Sequence, residues 1–389
     1  MIVSFEFLSP ESIENVITCI NYRVDRVVCF GRKSSIETVG KSASAFLKKY
    51  CGVFSVEFIE LPYNNLEGTV STMEKVILSE TQKGNKLFFD ITGGEGLALM
   101  SFGILSEKYD LPMHSFDIPK NQLKEYGKNK DKLLSANAPA RRVDLTLEKY
   151  IELYGGIINK EVHKYFASDD NEEALRTVKK VFSVSLMYKE EWNGFLEFFR
   201  NNLIPDEKLV SSSSVNEICR LIKKEGSPLG SLDLLADILE ELERNELLAY
   251  LIMNDDIIRF RLKDKTVLES LRSGGTILEA IVYDRQRRVS DHCMRGVHID
   301  WDGVIHARRG IDVLNEIDVL SISGNVPTFI SCKSGKTNSG QILTALYELE
   351  TVANRFGGKY AKKELVKINK CPSVNAERAK EMGIKLTTL

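Results

Sequence analysis

The chain has 389 residues, of which 43% are hydrophobic and 28% are charged, a composition typical of soluble globular proteins with two or three domains. Its formal net charge of −2 argues against a generally basic coat for nucleic acid. No signal peptide or long apolar run is found, so neither secretion nor membrane spanning is expected. The seven cysteines form no CxxC pair, which favours free thiols in a reducing cytoplasm over disulfides or a zinc site.

Residues 1–145 alternate between strand-like and helical segments. This alternation predicts a Rossmann-like parallel sheet with helices on both faces. In such sheets ligands bind beyond the carboxyl ends of the strands. The strand-like runs are 2–8, 26–31, 55–61, 86–92 and 113–118, and the main helical runs are 34–49, 66–81 and 95–108.

Three loops at that edge of the predicted sheet are candidates for binding phosphate or ribose. Glycines allow close approach of backbone N–H groups, and helix N-termini favour anions. Taken alone, a Gly-Gly turn before a helix is more often just a tight connection. The candidate residues are Ser9 and Pro10 after the first strand, Arg32, Lys33 and Ser34 after the second, and Thr92, Gly93, Gly94 and Glu95 after the fourth.

This N-terminal pattern resembles the CARF domain, the CRISPR-associated Rossmann fold. That family carries a threonine-glycine-glycine motif after its fourth strand, matched here by residues 92–94. The resemblance implies binding of a cyclic oligoadenylate at a homodimer interface. The family motif commonly continues with Thr-Lys, but Glu95 and Gly96 stand here, so Arg32 or Lys33 is expected to supply the positive charge.

Residues 146–265 are mostly helical in pattern and are predicted to form a connector. The segments 215–226 and 232–251 predict a winged-helix-like unit, but the second is acidic, so a scaffold or dimerisation role is favoured over DNA reading. The serine run at 211–214 predicts a flexible joint followed by a helix cap.

Residues 266–389 contain a hairpin that joins two strands through a Gly-Asn turn. The first strand carries Asp318 inside an apolar run, and the second ends at Lys333. Burying a carboxylate and a lysine costs free energy, so their position in an apolar hairpin indicates a function. Phosphodiester hydrolysis would use both, since a carboxylate can hold a divalent cation and a lysine can stabilise the charge on phosphorus. The alternative is a cross-strand ion pair on a solvated edge, which is common and contributes little.

The surrounding order of elements resembles the PD-(D/E)xK restriction-endonuclease-like fold. A helix with Glu279 precedes the hairpin, and a helix and a further strand follow it. The resemblance implies that Glu279 is the glutamate of the first core helix, Asp318 the metal-binding aspartate and Lys333 the motif lysine. Hard oxygen ligands without histidine or thiolate favour Mg²⁺ or Mn²⁺.

Ser331 occupies the position two residues before Lys333, where this family usually has Asp or Glu. Three explanations compete. Glu350 on the following helix has replaced the missing carboxylate, since helical spacing places it within an apolar stripe whereas Glu348 points nearly the opposite way. Alternatively, the metal is held by Glu279, Asp318 and the Cys332 carbonyl oxygen. Finally, the site is weakened or dead.

The order of the three segments resembles the stand-alone effector nucleases of type III CRISPR antiviral systems. The resemblance implies a cytoplasmic homodimer in which cyclic tetra-adenylate activates metal-dependent cutting of single-stranded or nicked nucleic acid. The alternative function is a cyclic oligoadenylate sensor or sponge with a degenerate nuclease domain, and Ser331 is the residue that favours it.

Overall fold

A computed structural model describes residues 1–62, 65–127, 142–160, 171–305, 314–335 and 337–389. The described strands form a six-stranded sheet near the N-terminus, a small three-stranded sheet and a six-stranded C-terminal sheet. This arrangement confirms the predicted α/β fold class. In the described part of the chain, no helix is both long and apolar enough to cross a membrane.

The N-terminal sheet has the strand order β3-β2-β1-β4-β5-β6, with β1 to β5 parallel and β6 antiparallel to β5. The order reverses between β1 and β4, and a crevice at such a point is where ligands bind in open α/β sheets. The strands are β1 (Ile2–Phe7), β2 (Arg26–Gly31), β3 (Ser55–Glu60), β4 (Lys86–Asp90), β5 (Met113–Asp117) and β6 (Gln122–Tyr126). The helices are α1 (Ile17–Asn21), α2 (Lys33–Ser35), α3 (Lys41–Tyr50), α4 (Leu66–Gln82) and α5 (Gly96–Tyr109).

The three-stranded antiparallel sheet has the order β8-β10-β9, and helices from the segments 215–226 and 232–251 contact it. That these elements form a winged-helix-like unit stays a prediction. The serine run belongs to β8 rather than to a flexible joint, although Ser214 does cap the next helix by accepting a hydrogen bond from the Glu217 amide. The elements are α6 (Leu147–Leu153), β7 (Ile157–Ile158), α7 (Glu172–Met187), α8 (Trp192–Asn202), β8 (Val210–Ser214), α9 (Val215–Ile222), α10 (Leu232–Arg244), β9 (Leu248–Met253) and β10 (Ile257–Leu262).

The C-terminal sheet has the order β15-β14-β13-β12-β11-β7. Its edge strand β7 comes from the segment predicted as connector, where it pairs with β11. The segment boundaries at 145 and 265 stay predictions. The elements are α11 (Lys265–Arg272), α12 (Gly274–Arg287), β11 (His292–Asp300), β12 (Leu314–Ser323), β13 (Val326–Lys333), α13 (Ser339–Gly357), β14 (Lys362–Lys367), α14 (Ser373–Glu381) and β15 (Ile384–Thr388).

One hydrophobic core runs between the two large sheets. Leu8 and Phe46 from the N-terminal sheet region belong to the same buried cluster as Phe329 and Phe356 from the C-terminal domain. Tyr150 of α6 lies within this core, and its hydroxyl donates to the carbonyl oxygen of Gly357 at 3.2 Å. The end of α13 is therefore packed directly against the N-terminal domain.

Candidate active site and ligand pocket

Asp318 and Ser331 lie on neighbouring strands of the β12–β13 hairpin, whose register pairs Val319 with Ile330. The carboxylate is half-buried, and its Oδ2 atom accepts hydrogen bonds from the Cys332 amide at 2.5 Å and from the Ser331 hydroxyl at 3.1 Å. Burial raises the pKa of Asp318, and these two donors and Lys333 act against that rise. Asp318 is therefore held by hydrogen bonds within its own hairpin. This disfavours the alternative in which Asp318 and Lys333 form only a solvent-exposed ion pair.

A cleft of about 280 Å³ opens beside this hairpin. Strand β12 lines it with Glu316 and Asp318, strand β13 with Ser331 and Lys333, and helix α13 closes the other side. Glu316 was not among the sequence candidates, although it lies two residues before Asp318 and therefore on the same face of the strand. Carboxylates and one lysine thus face a common space. The lining residues are Leu314, Asn315, Glu316, Ile317, Asp318, Ser331, Lys333, Ala345, Glu348, Leu349 and Val352.

Glu279 on α12 does not line that cleft, but it lies close enough to Asp318 for the two charges to interact. Burial, followed by the charge of Asp318, raises the pKa of Glu279 to about 7. Arg295 and Lys333 act in the opposite direction. The Asp318 charge that raises the pKa of Glu279 is one that a bound divalent cation would offset.

The oxygens of Glu279, Asp318 and the Cys332 carbonyl suit Mg²⁺ or Mn²⁺ as ligands. The buried Cys332 thiol is a poor candidate, because burial raises its pKa well above the usual value and keeps it protonated. Within the described residues, no three His, Cys, Asp or Glu side chains are grouped so as to hold a metal ion. The donor chemistry therefore fits a hard cation, with two side-chain carboxylates rather than three.

The structure places Glu348, not Glu350, in the cleft. Glu350 instead lies 3.7 Å from Lys363 of β14. The prediction chose the wrong face of α13 because it counted Leu343 into the apolar stripe. The buried stripe runs along Ile342, Ala345, Leu346, Leu349, Val352, Ala353 and Phe356, and Glu348 lies at its border.

Glu348 is a candidate for the carboxylate that the family usually has at the position of Ser331. If it has this role, Glu348→Gln is expected to slow cleavage by about 10- to 100-fold, because the substitution removes a negative charge from the cleft. The matched variant Glu350→Gln is expected to stay within about twofold of the wild type, since it disturbs only a partly exposed ion pair. Single-turnover cleavage rates of the two variants measure the difference. Equal losses in both would contradict this assignment.

The raised pKa of Glu279 predicts a pH-dependent stability of the metal-free protein. The unfolded pKa is 4.5 and the folded pKa is about 7, so the stability that the protonated carboxyl provides is lost as the pH rises from about 4.5 through 7. In chelator, Glu279→Gln is therefore expected to be more stable than the wild type at pH 8, by on the order of 2 kcal/mol, and similar at pH 4.5. Urea unfolding at the two pH values measures this difference. A constant difference would mean that Glu279 titrates normally.

A second pocket, of about 200 Å³, lies at the reversal point of the N-terminal sheet between β1 and β4. The Ser9 hydroxyl donates to Oε2 of the buried Glu14 at 2.7 Å. Gly94 has a φ of +146°, which favours glycine. The structure brings the predicted candidates from the first and fourth strands together. The lining residues are Phe7, Ser9, Pro10, Glu14, Ile91, Thr92, Gly93, Gly94, Glu95, Leu99 and Lys359.

The candidates after the second strand lie outside this pocket. Arg32 forms an ion pair with Glu95, with 2.5 Å between Nη2 and Oε2, while Lys33 and Ser34 lie in α2 and do not line the pocket. Neither Arg32 nor Lys33 lines the pocket, and the expectation that one of them supplies its positive charge stays a prediction. Lys359 lines it instead. No sequence pattern pointed to Lys359, because it reaches the pocket only through domain packing.

Comparison with known protein families gives a match over residues 269–388 to the Card1-like endonuclease domain. Comparison with curated proteins gives no significant sequence match. Two solved structures are similar over nearly the whole chain. Protein VC1899 from Vibrio cholerae has a TM-score of 0.71 and 17% identity, with 99% of this chain and 93% of that chain covered. Can2 from Sulfobacillus thermosulfidooxidans, solved with cyclic tetra-adenylate, has a TM-score of 0.64 and 15% identity over the same shares.

The structural similarities confirm the predicted fold, and the family match confirms an endonuclease-like domain in the C-terminal segment. The chain shares the fold of Can2 over 99% of its residues. The hairpin with Asp318 and Lys333 lies inside the residues that match the Card1-like endonuclease domain.

Proposed function

We propose that the chain is a cyclic oligoadenylate-activated, metal-dependent endonuclease that cuts single-stranded or nicked nucleic acid in antiviral defence. The observation that carries the proposal is the cleft of the Card1-like endonuclease domain, where Asp318 and Lys333 face the same space and Glu279 lies nearby. The family match specifies an endonuclease domain. The metal, the nucleic-acid substrate and the activator are parts of this proposal.

In the proposed reaction, Glu279, Asp318 and the Cys332 carbonyl would hold Mg²⁺ or Mn²⁺. A bound cation of this kind supplies Lewis acidity and lowers the pKa of a water molecule. The Lys333 ammonium neutralises the charge that grows on the phosphate oxygens in the transition state. Glu348 provides the further carboxylate that orients the attacking water. The Ser331 hydroxyl fixes the rotamer of Asp318 through the hydrogen bond to Oδ2.

The activator is proposed to bind at the pocket between β1 and β4, with the Ser9 loop on one side and Thr92 and Gly93 on the other. Can2, which shares this fold, was solved with cyclic tetra-adenylate. A volume of about 200 Å³ is less than ligand pockets usually offer for a single drug-sized molecule, and a cyclic tetranucleotide is larger still. The ring would therefore extend beyond this pocket, and a second copy on the other side of the ring would provide the remaining contacts.

A homodimer is the proposed assembly. Met100 and Ile104 lie one turn apart on α5, which begins just after the pocket loop, and both side chains are exposed. Burying this apolar face against a second copy would place the two pockets close to one two-fold axis. The seven free cysteines support the prediction of a reducing, cytoplasmic location.

The second candidate function, a sensor or sponge with an inactive nuclease domain, is favoured by two observations. Ser331 replaces a carboxylate, and the described residues contain no three-membered group of metal-ligating side chains. Such a protein would bind the activator with no cleavage under any metal condition.

The two functions are distinguished by incubating the protein with labelled single-stranded and nicked DNA and RNA, Mn²⁺, and cyclic tetra-adenylate. The proposed nuclease produces fragments only when the metal and the activator are both present. Full activity in excess chelator contradicts metal dependence. Tight activator binding by calorimetry, with no fragments from any substrate, supports the sensor.

A further inference from the structure

The loop that ends α13 reaches from the nuclease domain into the N-terminal domain. Gly358 has a φ of +61° and starts a short turn that carries Lys359 and Tyr360. The Lys359 amide donates to Oε2 of Glu11 at 2.7 Å, and the Tyr360 hydroxyl donates to Oε1 of Glu14 at 2.7 Å. These two contacts fix the backbone of the loop beside the Ser9 loop.

The Lys359 side chain is placed at the rim of the ligand pocket. Its Nζ atom lies 2.6 Å from Oε1 of Glu14, whose other oxygen accepts the Ser9 hydroxyl. The Lys359 side chain is 59% exposed whereas that of Glu14 is 4% exposed. The ammonium can therefore swing from Glu14 to a ligand, while the glutamate is held in place.

Charge in the pocket is otherwise unfavourable for an anion. Among the described residues that line it, Glu14 and Glu95 are acidic and Lys359 is the single cation. A phosphodiester ligand needs a positive partner to offset the loss of hydration, and charge-assisted hydrogen bonds from lysine to phosphate are among the stronger polar contacts.

From this geometry we infer that Lys359 of the nuclease domain is a phosphate-binding residue of the activator pocket. The inference rests on the proposed binding of a cyclic oligoadenylate and names one of its contacts. On binding, the Lys359 ammonium moves from Glu14 to a phosphate oxygen of the ligand.

The proposed contact between Lys359 and the phosphate would connect the ligand directly to the nuclease domain. Lys359 lies two residues beyond the end of α13, and Glu348 of the same helix lines the nuclease cleft. From Glu348 to its end at Gly357 the helix spans roughly 14 Å. Helix α13 is thus the element through which we expect a displacement of the loop to reach the cleft.

The test is calorimetric binding of cyclic tetra-adenylate to the wild type, Lys359→Met, Lys359→Arg and the control Lys362→Met. Lys362 is exposed on β14, three residues further on, and does not line the pocket, so its loss changes the net charge equally. Lys359→Met is expected to bind at least about tenfold more weakly, whereas Lys359→Arg and Lys362→Met stay within about threefold. The affinity of Lys359→Met is also expected to fall less steeply with added salt.

The outcomes separate the two proposals. If the wild type binds the activator and Lys359→Met has the same affinity and the same salt dependence as the wild type, the role of Lys359 is overturned. The proposed function is then left intact. Equal weakening by Lys362→Met also overturns it, since general charge then explains the loss. No binding to the wild type overturns both. Thermal unfolding of each variant shows whether the fold is kept. If Lys359→Met does not fold, Lys359→Gln, which removes the charge but keeps a polar side chain, replaces it with the same expected loss of affinity.

Discussion

Asp318→Asn is expected to lower the cleavage rate by about 10³-fold or more, because it removes the charge that holds the cation in the cleft. The amide has nearly the same shape, and its oxygen can still accept from the Cys332 amide and the Ser331 hydroxyl. Burial already raises the pKa of Asp318, so loss of the charge does not threaten the fold. Single-turnover cleavage with saturating Mn²⁺ and activator measures the loss.

The control for this variant is Glu381→Gln, which removes an exposed carboxylate from α14 where it pairs with Arg378. Its cleavage rate is expected to match that of the wild type. Activator binding should be unchanged in both variants, because neither Asp318 nor Glu381 lines the pocket. Cleavage by Asp318→Asn within a few-fold of the wild-type rate would mean that Asp318 holds no catalytic cation.

Gly93→Val is expected to weaken binding of cyclic tetra-adenylate by about 100-fold or more, because the added side chain collides with Ser9 and Glu14 and so distorts the pocket that they line. A Cβ atom at Gly93 would lie 2.7 Å from Oε2 of Glu14 and 2.9 Å from Cβ of Ser9. The nuclease should then respond only to far higher activator concentrations. Titration of the cleavage rate against activator measures the shift.

Gly96→Val is the matched control, since a Cβ atom at Gly96 meets nothing within 4 Å and the residue lies three positions further on, at the start of α5. It is expected to leave the activator response nearly unchanged. If both valine variants bind the activator as tightly as the wild type, the ligand does not use this loop.

The sequence predicted the alternating strands of the N-terminal sheet because buried parallel strands form compact apolar runs. Strand β6 was missed because its residues, Gln122–Tyr126, alternate between exposed and half-buried positions at the sheet edge and form no apolar run. The pairing of Asp318 with the end of β13 was predictable because the two strands are joined by a short turn.

The positions that the sequence could not predict depend on the phase of a helix or on packing between domains. Glu348 and Glu350 are about half a helical turn apart, so a small error in the position of the apolar stripe decides which of them is predicted to face the cleft. Leu343, which is half-buried, was counted into the stripe and moved its predicted position to the wrong side. Lys359 lies some 350 residues from Glu11 in the chain, and local patterns carry no information about such a contact.

The most direct test of the account is the cleavage rate of a labelled single-stranded substrate, measured with Mg²⁺ or Mn²⁺ in the presence and absence of cyclic tetra-adenylate. We expect the activator to raise the cleavage rate at least about tenfold. Chelator should abolish cleavage, and Asp318→Asn should show neither basal nor activated cleavage. A wild-type rate that is the same with and without the activator, or that survives chelator, would contradict it.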